Sequence, residues 1–402
     1  MKLRTISLAC AAALAAPAFA QSNVTVYGVL DGGVLSIDNV STSPLGYVPI
    51  PVKGGRSTQL KDGGIGGSNW GMRGTEDLGG GLAATFQLQG NINVKDGSTG
   101  GPNSTAGTSF FNQFSTVGLR GPFGEVKIGR QVSPMYYAMA STDARGARYF
   151  GSVLTGLVGL NSASGAWAGN NSNPAFGTVY NDNAVVYATP TWNGITANLE
   201  YAFGNTAGSS KANSQQAATL TYDKNGLKLS ALYYNGWGND FATASALYTA
   251  AVGAAAAPAA VAAAGFSPTA NTNRLESVGA LYNIGAFTVS GSYFRARNPA
   301  HAVVKNGSDS LDMWTVGGGW RVSNVLITAG YYHIKDNKNA GNKATQFAIG
   351  AEYYLSKRSA VYIEGATVTN HGTNMNLSPV YATPVGANNN VHAVMAGLRH
   401  SF

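Results

Sequence analysis

The chain has 402 residues, 53 of them glycine and 20 tyrosine, yet only 11% are charged, for a formal net charge of +8 at neutral pH. That is less than half the charge of an ordinary soluble domain, and the Lys and Arg residues are scattered rather than gathered into a stripe that would grip nucleic acid. Mean hydropathy is −0.04, and the best apolar run after residue 20, Ala250 to Ala264, is short and broken by Pro258, so spanning helices are excluded as well.

The first residues read as an export signal. Lys2 and Arg4 precede a short apolar run, Ile6 to Ala16, and Ala18-Phe19-Ala20 supplies a small-x-small cleavage pattern. Such a run is too short to cross a bilayer, so residues 1–20 are expected to be removed and 21–402 to form the mature domain. Cys10, the only cysteine, lies inside the leader, and the apolar run continuing past it argues against a lipid anchor there. The mature domain therefore has neither disulfides nor thiol chemistry.

From residue 23 onward, segments rich in Tyr, Phe, Val, Leu, Thr and Ala alternate with two kinds of connection. Tight turns are expected at 76–81, 121–124, 223–226, 283–285, 323–324 and 356–358. Long Gly/Asn/Ser-rich loops fall at 38–67, 91–109, 132–178, 205–215, 238–272, 297–309, 335–343 and 370–390. Within the segments, side chains alternate: Trp70 and Met72 against Asn69, Gly71 and Arg73, and Val126 and Ile128 against Glu125 and Lys127. Short turns at one end and long loops at the other, with apolar-out and polar-in strands, predict an all-β transmembrane antiparallel barrel of about sixteen strands. That is wide enough for a water-filled lumen. Tyr27, Trp192 and Tyr354 near strand ends suit an interfacial girdle. The last segment, Val391 to Phe402, puts Phe402, His400, Leu398, Ala396, Val394 and His392 on one face and Ser401, Arg399, Gly397, Met395 and Ala393 on the other. It is expected to pair with the first strand and leave no open edge.

Catalytic patterns are missing. His301, His333, His371, His392 and His400 show no metal-ligand spacing, no G-x-S-x-G elbow occurs, and the glycines at 63–67 precede a strand rather than opening a helix. No cofactor, metal or enzymatic activity is expected.

Several stretches, in order from end to end, resemble the Gram-negative porin family. They are Val24-Thr25-Val26-Tyr27-Gly28-Val29-Leu30-Asp31, Arg73-Gly74-Thr75-Glu76-Asp77-Leu78-Gly79-Gly80-Gly81-Leu82, Phe86-Gln87-Leu88-Gln89, Gly124-Glu125-Val126-Lys127-Ile128-Gly129-Arg130-Gln131, Tyr353-Tyr354-Leu355-Ser356-Lys357-Arg358-Ser359 and Gly397-Leu398-Arg399-His400-Ser401-Phe402. The resemblance implies a homotrimeric diffusion channel for small hydrophilic solutes and ions, seated among outer-membrane lipid and lipopolysaccharide. It implies that Phe402, with His400 and Leu398, is read by the barrel-assembly machinery. It also implies that the third loop, Val132 to Thr178, folds inward as an eyelet. The family's wall arginines are replaced by Asn69 and Gln113, with Val186 near a third such position, and the loop carries one acid, Asp143, beside Arg145 and Arg148.

A weakly selective pore with a mild anion preference from Arg73, Arg145 and Arg148 follows, unless the latter two are solvated loop charges. Arg73, Lys127 and Asp31 are expected on the lumen wall. Arg130 shares parity with Val126 and Ile128, so it is expected to face outward, at a subunit contact or snorkelling to the interface. Two other readings stay open: a solute-specific channel using Tyr136, Tyr137, Tyr149 or Phe150, and a surface adhesin carried on the 238–272 loop.

Overall fold

A computed structural model of the chain describes residues 23–41, 54–99, 109–157, 179–238, 245, 249, 252–263, 267–297, 310–372 and 375–402. The expected leader at 1–20 and the later part of the third loop, 158–178, lie outside the described residues. Seventeen strands form one sheet. They are β1 (Asn23–Val40), β2 (Gly55–Asp62), β3 (Asn69–Gly79), β4 (Leu82–Asn91), β5 (Phe114–Gly121), β6 (Gly124–Val132), β7 (Tyr180–Ala188), β8 (Ile195–Ala202), β9 (Gln215–Lys224), β10 (Leu227–Trp237), β11 (Asn271–Ile284), β12 (Phe287–Arg297), β13 (Ser310–Val322), β14 (Val325–Asp336), β15 (Lys343–Tyr354), β16 (Ser359–His371) and β17 (Asn390–Ser401). Each pairs antiparallel with its sequence neighbour, except that β2 and β3 both pair with β1 and not with each other, and β1 pairs with β17 from Val29 opposite Ser401 to Ile37 opposite Ala393. The barrel is closed.

The second edge of β1 is shared. Its first half, Asn23 to Val29, pairs with β3, and its second half, Gly32 to Val40, pairs with β2. β2 and β3 lie end to end as one interrupted stave, so seventeen strands make sixteen staves, as the sequence predicts. β2 corrects the expectation that 38–67 is all loop. Its GRSTQLKD sequence lacks a clean apolar alternation, which is why it reads as loop. The β7–β8 connection, 189–194, is one further tight turn that the sequence reading did not pick out.

Alternation along the staves sorts the two faces. On β1, Val24, Val26, Leu30 and Val34 are exposed on the outside, while Asp31, Leu35 and Ile37 are fully buried inside. On β17, Val394, Leu398 and Phe402 are exposed, while Val391, Ala393 and Met395 are buried. No helix among the described residues is long and apolar enough to cross a membrane; the crossing is made by strands.

The barrel is half filled. From Ser133 the chain turns inward through α1 (Pro134–Ser141), whose first turn is capped by the Ser133 hydroxyl and opened by Pro134. It continues to Leu157 against β10–β17. Met135, Met139, Phe150, Val153 and Leu154 pack there on Tyr234, Phe294, Met313, Tyr332 and Ile334 of the wall. The described part of the last loop, 375–389, also folds inward, contrary to the expectation that it lies outside. Met375, Leu377, Val380, Tyr381 and Val385 are buried in the same cluster. It bonds to the third loop, with Gly151 donating to the Pro379 carbonyl at 2.7 Å and Tyr381 to that of Tyr149 at 2.8 Å. It also bonds to the end of β1, with Ser41 donating to Pro384 and Gly386 to Asn39. Apolar spacing in this loop is irregular, so composition alone assigned it to solvent.

Candidate pore constriction

The open half of the lumen is bounded by β1 and β3–β6 on one side and by α1 on the other. Tyr27, expected in a girdle, instead points inward. Its hydroxyl donates to Gln89 at 2.8 Å and accepts from Gln87 at 2.7 Å, while Gln89 donates in turn to Gln113. This makes a neutral ladder of amides and a phenol on the wall, with the Arg73 guanidinium 5.1 Å from the Tyr27 ring centre. Across from it α1 exposes Tyr137 to the water-filled space. Enclosure within the barrel, ahead of the nearby Tyr27 phenol, pushes the Tyr137 hydroxyl up to about 12, so it stays a neutral donor. Asn69 donates to the Gly67 carbonyl at 3.0 Å. Val186 is buried.

Below this ladder a cavity of about 400 Å³ is lined by Asn23, Thr25, Arg73, Gln87, Thr116, Arg120, Glu125 and Lys127, among others. Arg73 and Lys127 thus share the wall of one water-filled space, joined by Arg120, which the sequence reading had not singled out. Its parity with Thr116 was the available signal. Lys127 lies 3.9 Å from Glu125, leaving Arg73 and Arg120 as uncompensated cations on that wall among the described residues.

The third-loop charges are placed otherwise than expected. Arg145 and Arg148 are neither solvated nor free to set a field: both are buried. Arg145 donates to Glu364 at 2.5 Å, to the Phe150 carbonyl at 2.9 Å and to the Thr328 carbonyl and hydroxyl at 3.0 and 3.1 Å. Arg148 donates to Glu364 at 3.0 Å and to Glu352. The loop's basic balance is cancelled by two wall acids, on β15 and β16, that distance along the chain kept out of the local count. Asp143 is a structural carboxylate, accepting from the backbone N–H groups of Arg145, Ala147 and Val153 at 3.1 Å and from the Tyr332 hydroxyl at 2.9 Å.

Asp31 is inward, as expected, but it is no open wall charge. Its carboxylate accepts from the N–H groups of Gly64, Ile65 and Gly66 at 3.2, 2.9 and 2.9 Å and from the Tyr362 hydroxyl at 2.7 Å. It thereby fixes the break between β2 and β3. Arg130 does not present its charge to lipid: it is 8% exposed, ion-paired to Asp182 and 5.7 Å from the Tyr180 ring centre. Gly129 at φ 118° and the register shift between Gly129 and Gln131 break the parity on which its outward placement rested. Tyr354 likewise turns inward, bonded to Glu352 at 3.1 Å, whereas Trp192 is exposed at its turn as the girdle reading requires.

A closed sixteen-stave barrel, apolar outside and narrowed within by its third loop, defines an outer-membrane channel. The profile of the Gram-negative porins matches residues 7–373, and the chain belongs to that family. It is 31% identical over 409 residues to the outer membrane porin protein 32 of Delftia acidovorans, covering all of both chains. It is 32% identical over 155 residues to the major outer membrane protein P.IB of Neisseria gonorrhoeae, covering 38% of this chain and 39% of that one. Among solved structures it superposes on the anion-selective porin from Comamonas acidovorans with a TM-score of 0.72 at 25% identity, covering 95% of this chain and all of that one. The protein is an outer-membrane porin.

Proposed function

We propose that this porin is a passive diffusion channel for small hydrophilic solutes and ions, weakly selective with a mild preference for anions, and that it works as a homotrimer. The observation that carries the selectivity is the wall beneath the amide ladder, where Arg73, Arg120 and Lys127 face the lumen against the single carboxylate of Glu125. Arg145 and Arg148 drop out as its source because Glu352 and Glu364 neutralise them. The similar porin from Comamonas acidovorans is described as anion-selective, which supports the same sign here. The aromatic group of half-buried Trp70 and Phe111 and exposed Phe110, with ring centres 4.8 to 6.3 Å apart, offers a subunit contact.

A unit charge about 10 Å from the ion path is worth about 0.4 kcal/mol in water, a factor of about two in local ion concentration. Replacing Arg73 and Lys127 with Gln should therefore lower the chloride-to-potassium permeability ratio severalfold, read from reversal potentials across planar bilayers in a KCl gradient. Cation preference of the unaltered channel would sink the reading. A saturable solute site is the second reading, favoured by the neutral donors and acceptors of Tyr27, Gln87, Gln89 and Tyr137 at the narrowing. Concentration-dependent block of the same currents by a polyhydroxylated solute would establish it.

A further inference from the structure

Behind the third loop, across the barrel from the amide ladder, a second cavity of about 430 Å³ lies at the short-turn end of β10–β14. The channel reading makes no use of it. The register sets its lining in rows: Lys228 beside Leu281, Asn283 beside Thr288 and Gly319, and Arg321 beside Leu326. These positions share the inward parity of their strands. Ala140 and Ala144 of the third loop border the same space on the lumen side.

The lining has two characters. Leu281, Leu326 and the two alanines make an apolar side, and Arg321 and Lys228 supply cations. Arg321 is exposed and has no acidic partner among the described residues. Its guanidinium stands 5.1 Å from the Tyr354 ring centre, a contact that steadies it without consuming its N–H donors. Lys228 is 3.1 Å from Asp223, whose side chain is mostly exposed, and such a pair is worth little in water. The carboxylate in the lining, Asp143, is already taken by Tyr332 and three backbone N–H groups. Gly319 leaves the floor open: nothing lies nearer than 3.4 Å to where its Cβ would stand.

We infer that this alcove binds a small organic carboxylate with an apolar body, of the arylacetate kind, with the carboxylate on Arg321 and the ring against Leu281, Leu326 and the third-loop alanines. A guanidinium takes a carboxylate through two parallel N–H donors. A concave apolar lining with a few placed polar groups is the ordinary make-up of a small-molecule site. An inorganic anion gains nothing from the leucines, and a neutral aromatic gains nothing from Arg321. The alcove sits off the ion path beside β3–β6 and at the periplasmic end, so it holds such solutes beside the exit instead of selecting them at the narrowing.

Fluorine NMR of para-fluorophenylacetate titrated with the detergent-solubilised porin, against a blank of empty micelles, tests the assignment. The comparison ligands are para-fluorophenylacetamide and acetate. The unaltered protein should bind the fluorinated carboxylate about tenfold more tightly than its amide, and acetate should compete only at about tenfold higher concentration or above. Arg321→Gln should erase the preference for carboxylate over amide, and Gly319→Leu, which fills the floor, should abolish binding of both. Equal binding of carboxylate and amide by the unaltered protein would overturn the inference, as would undiminished binding by both variants. Acetate competing on equal terms would also overturn it, marking a plain anion site. Should Gly319→Leu fail to give a heat-modifiable barrel on gels, Arg321→Gln, at an exposed strand end, carries the comparison alone. Arg73, Arg120 and Lys127 lie on the far wall, so the reversal potential of Gly319→Leu in a KCl gradient should match the unaltered channel. That potential reports on the channel reading whether or not the carboxylate binds.

Discussion

Replacing Glu364 with Ala is expected to destabilise the barrel by about 3–5 kcal/mol and to raise single-channel conductance and its noise together. The carboxylate is fully buried and accepts from both Arg145 and Arg148. Removing it leaves two guanidiniums buried with too few acceptors, the most costly way to break such a network. The third loop would then lose its strongest tie to β16, and the constriction it forms would widen or fluctuate. Thermal unfolding on gels reads the stability, and bilayer recording reads the pore. Gly350→Val offers an independent route to the same effect, because any Cβ at position 350 would collide with the Glu364 carboxylate. Unchanged melting and conductance in both variants would show that the apolar packing of Phe150, Val153 and Leu154 holds the loop unaided.

The second large effect belongs to the seam. The Phe402 ring lies over Gly28, where a Cβ would overlap the ring edge. The two residues also exchange backbone hydrogen bonds, Phe402 to Gly28 at 3.0 Å and Gly28 to Phe402 at 3.2 Å. Deleting Phe402 removes both bonds and the ring cover, an expected loss of about 2–3 kcal/mol in closure. Gly28→Leu keeps Phe402 in the sequence and only displaces its ring. If Phe402 serves both as the assembly address and as a seam residue, its deletion should cut the amount of inserted barrel sharply. The Gly28 variant should then be impaired in refolding in vitro while still being delivered in cells. Channels that do form should conduct normally in either case, since the ring is on the outer face. Equal refolding of the Gly28 variant would remove the seam role.

The wall was legible in the sequence because its logic is local. Alternation in Asn69–Arg73, Glu125–Ile128 and Val391–Phe402 carried the faces, and turn chemistry carried most of the hairpins. Parity failed where the backbone departs from regular pleat, at Arg130 beside Gly129. It failed too where a strand lacks an apolar face, at β2. The candidate site was less legible because its charges are balanced at long range. Arg148 meets Glu352 and Glu364 more than 200 positions away, so counting the third loop's own residues assigned a free positive charge where the guanidiniums are in fact paired. Tyr27 was misplaced for a related reason: an aromatic at a strand end suits a girdle, but its partners, Gln87 and Gln89, become visible only when β4 is laid alongside.

The inward fold of the last loop bears on the order of construction. Residues 375–389 precede β17, and their docking points are the end of β1 and the Tyr149–Gly151 stretch of the third loop. Pro384 and Gly386 reach Ser41 and Asn39 only where β17 lies beside β1. The step that removes the last free strand edge is therefore also the step that narrows the hole. A barrel caught before that step is expected to have a wider hole than the finished channel, whose bore is set only when its two ends meet.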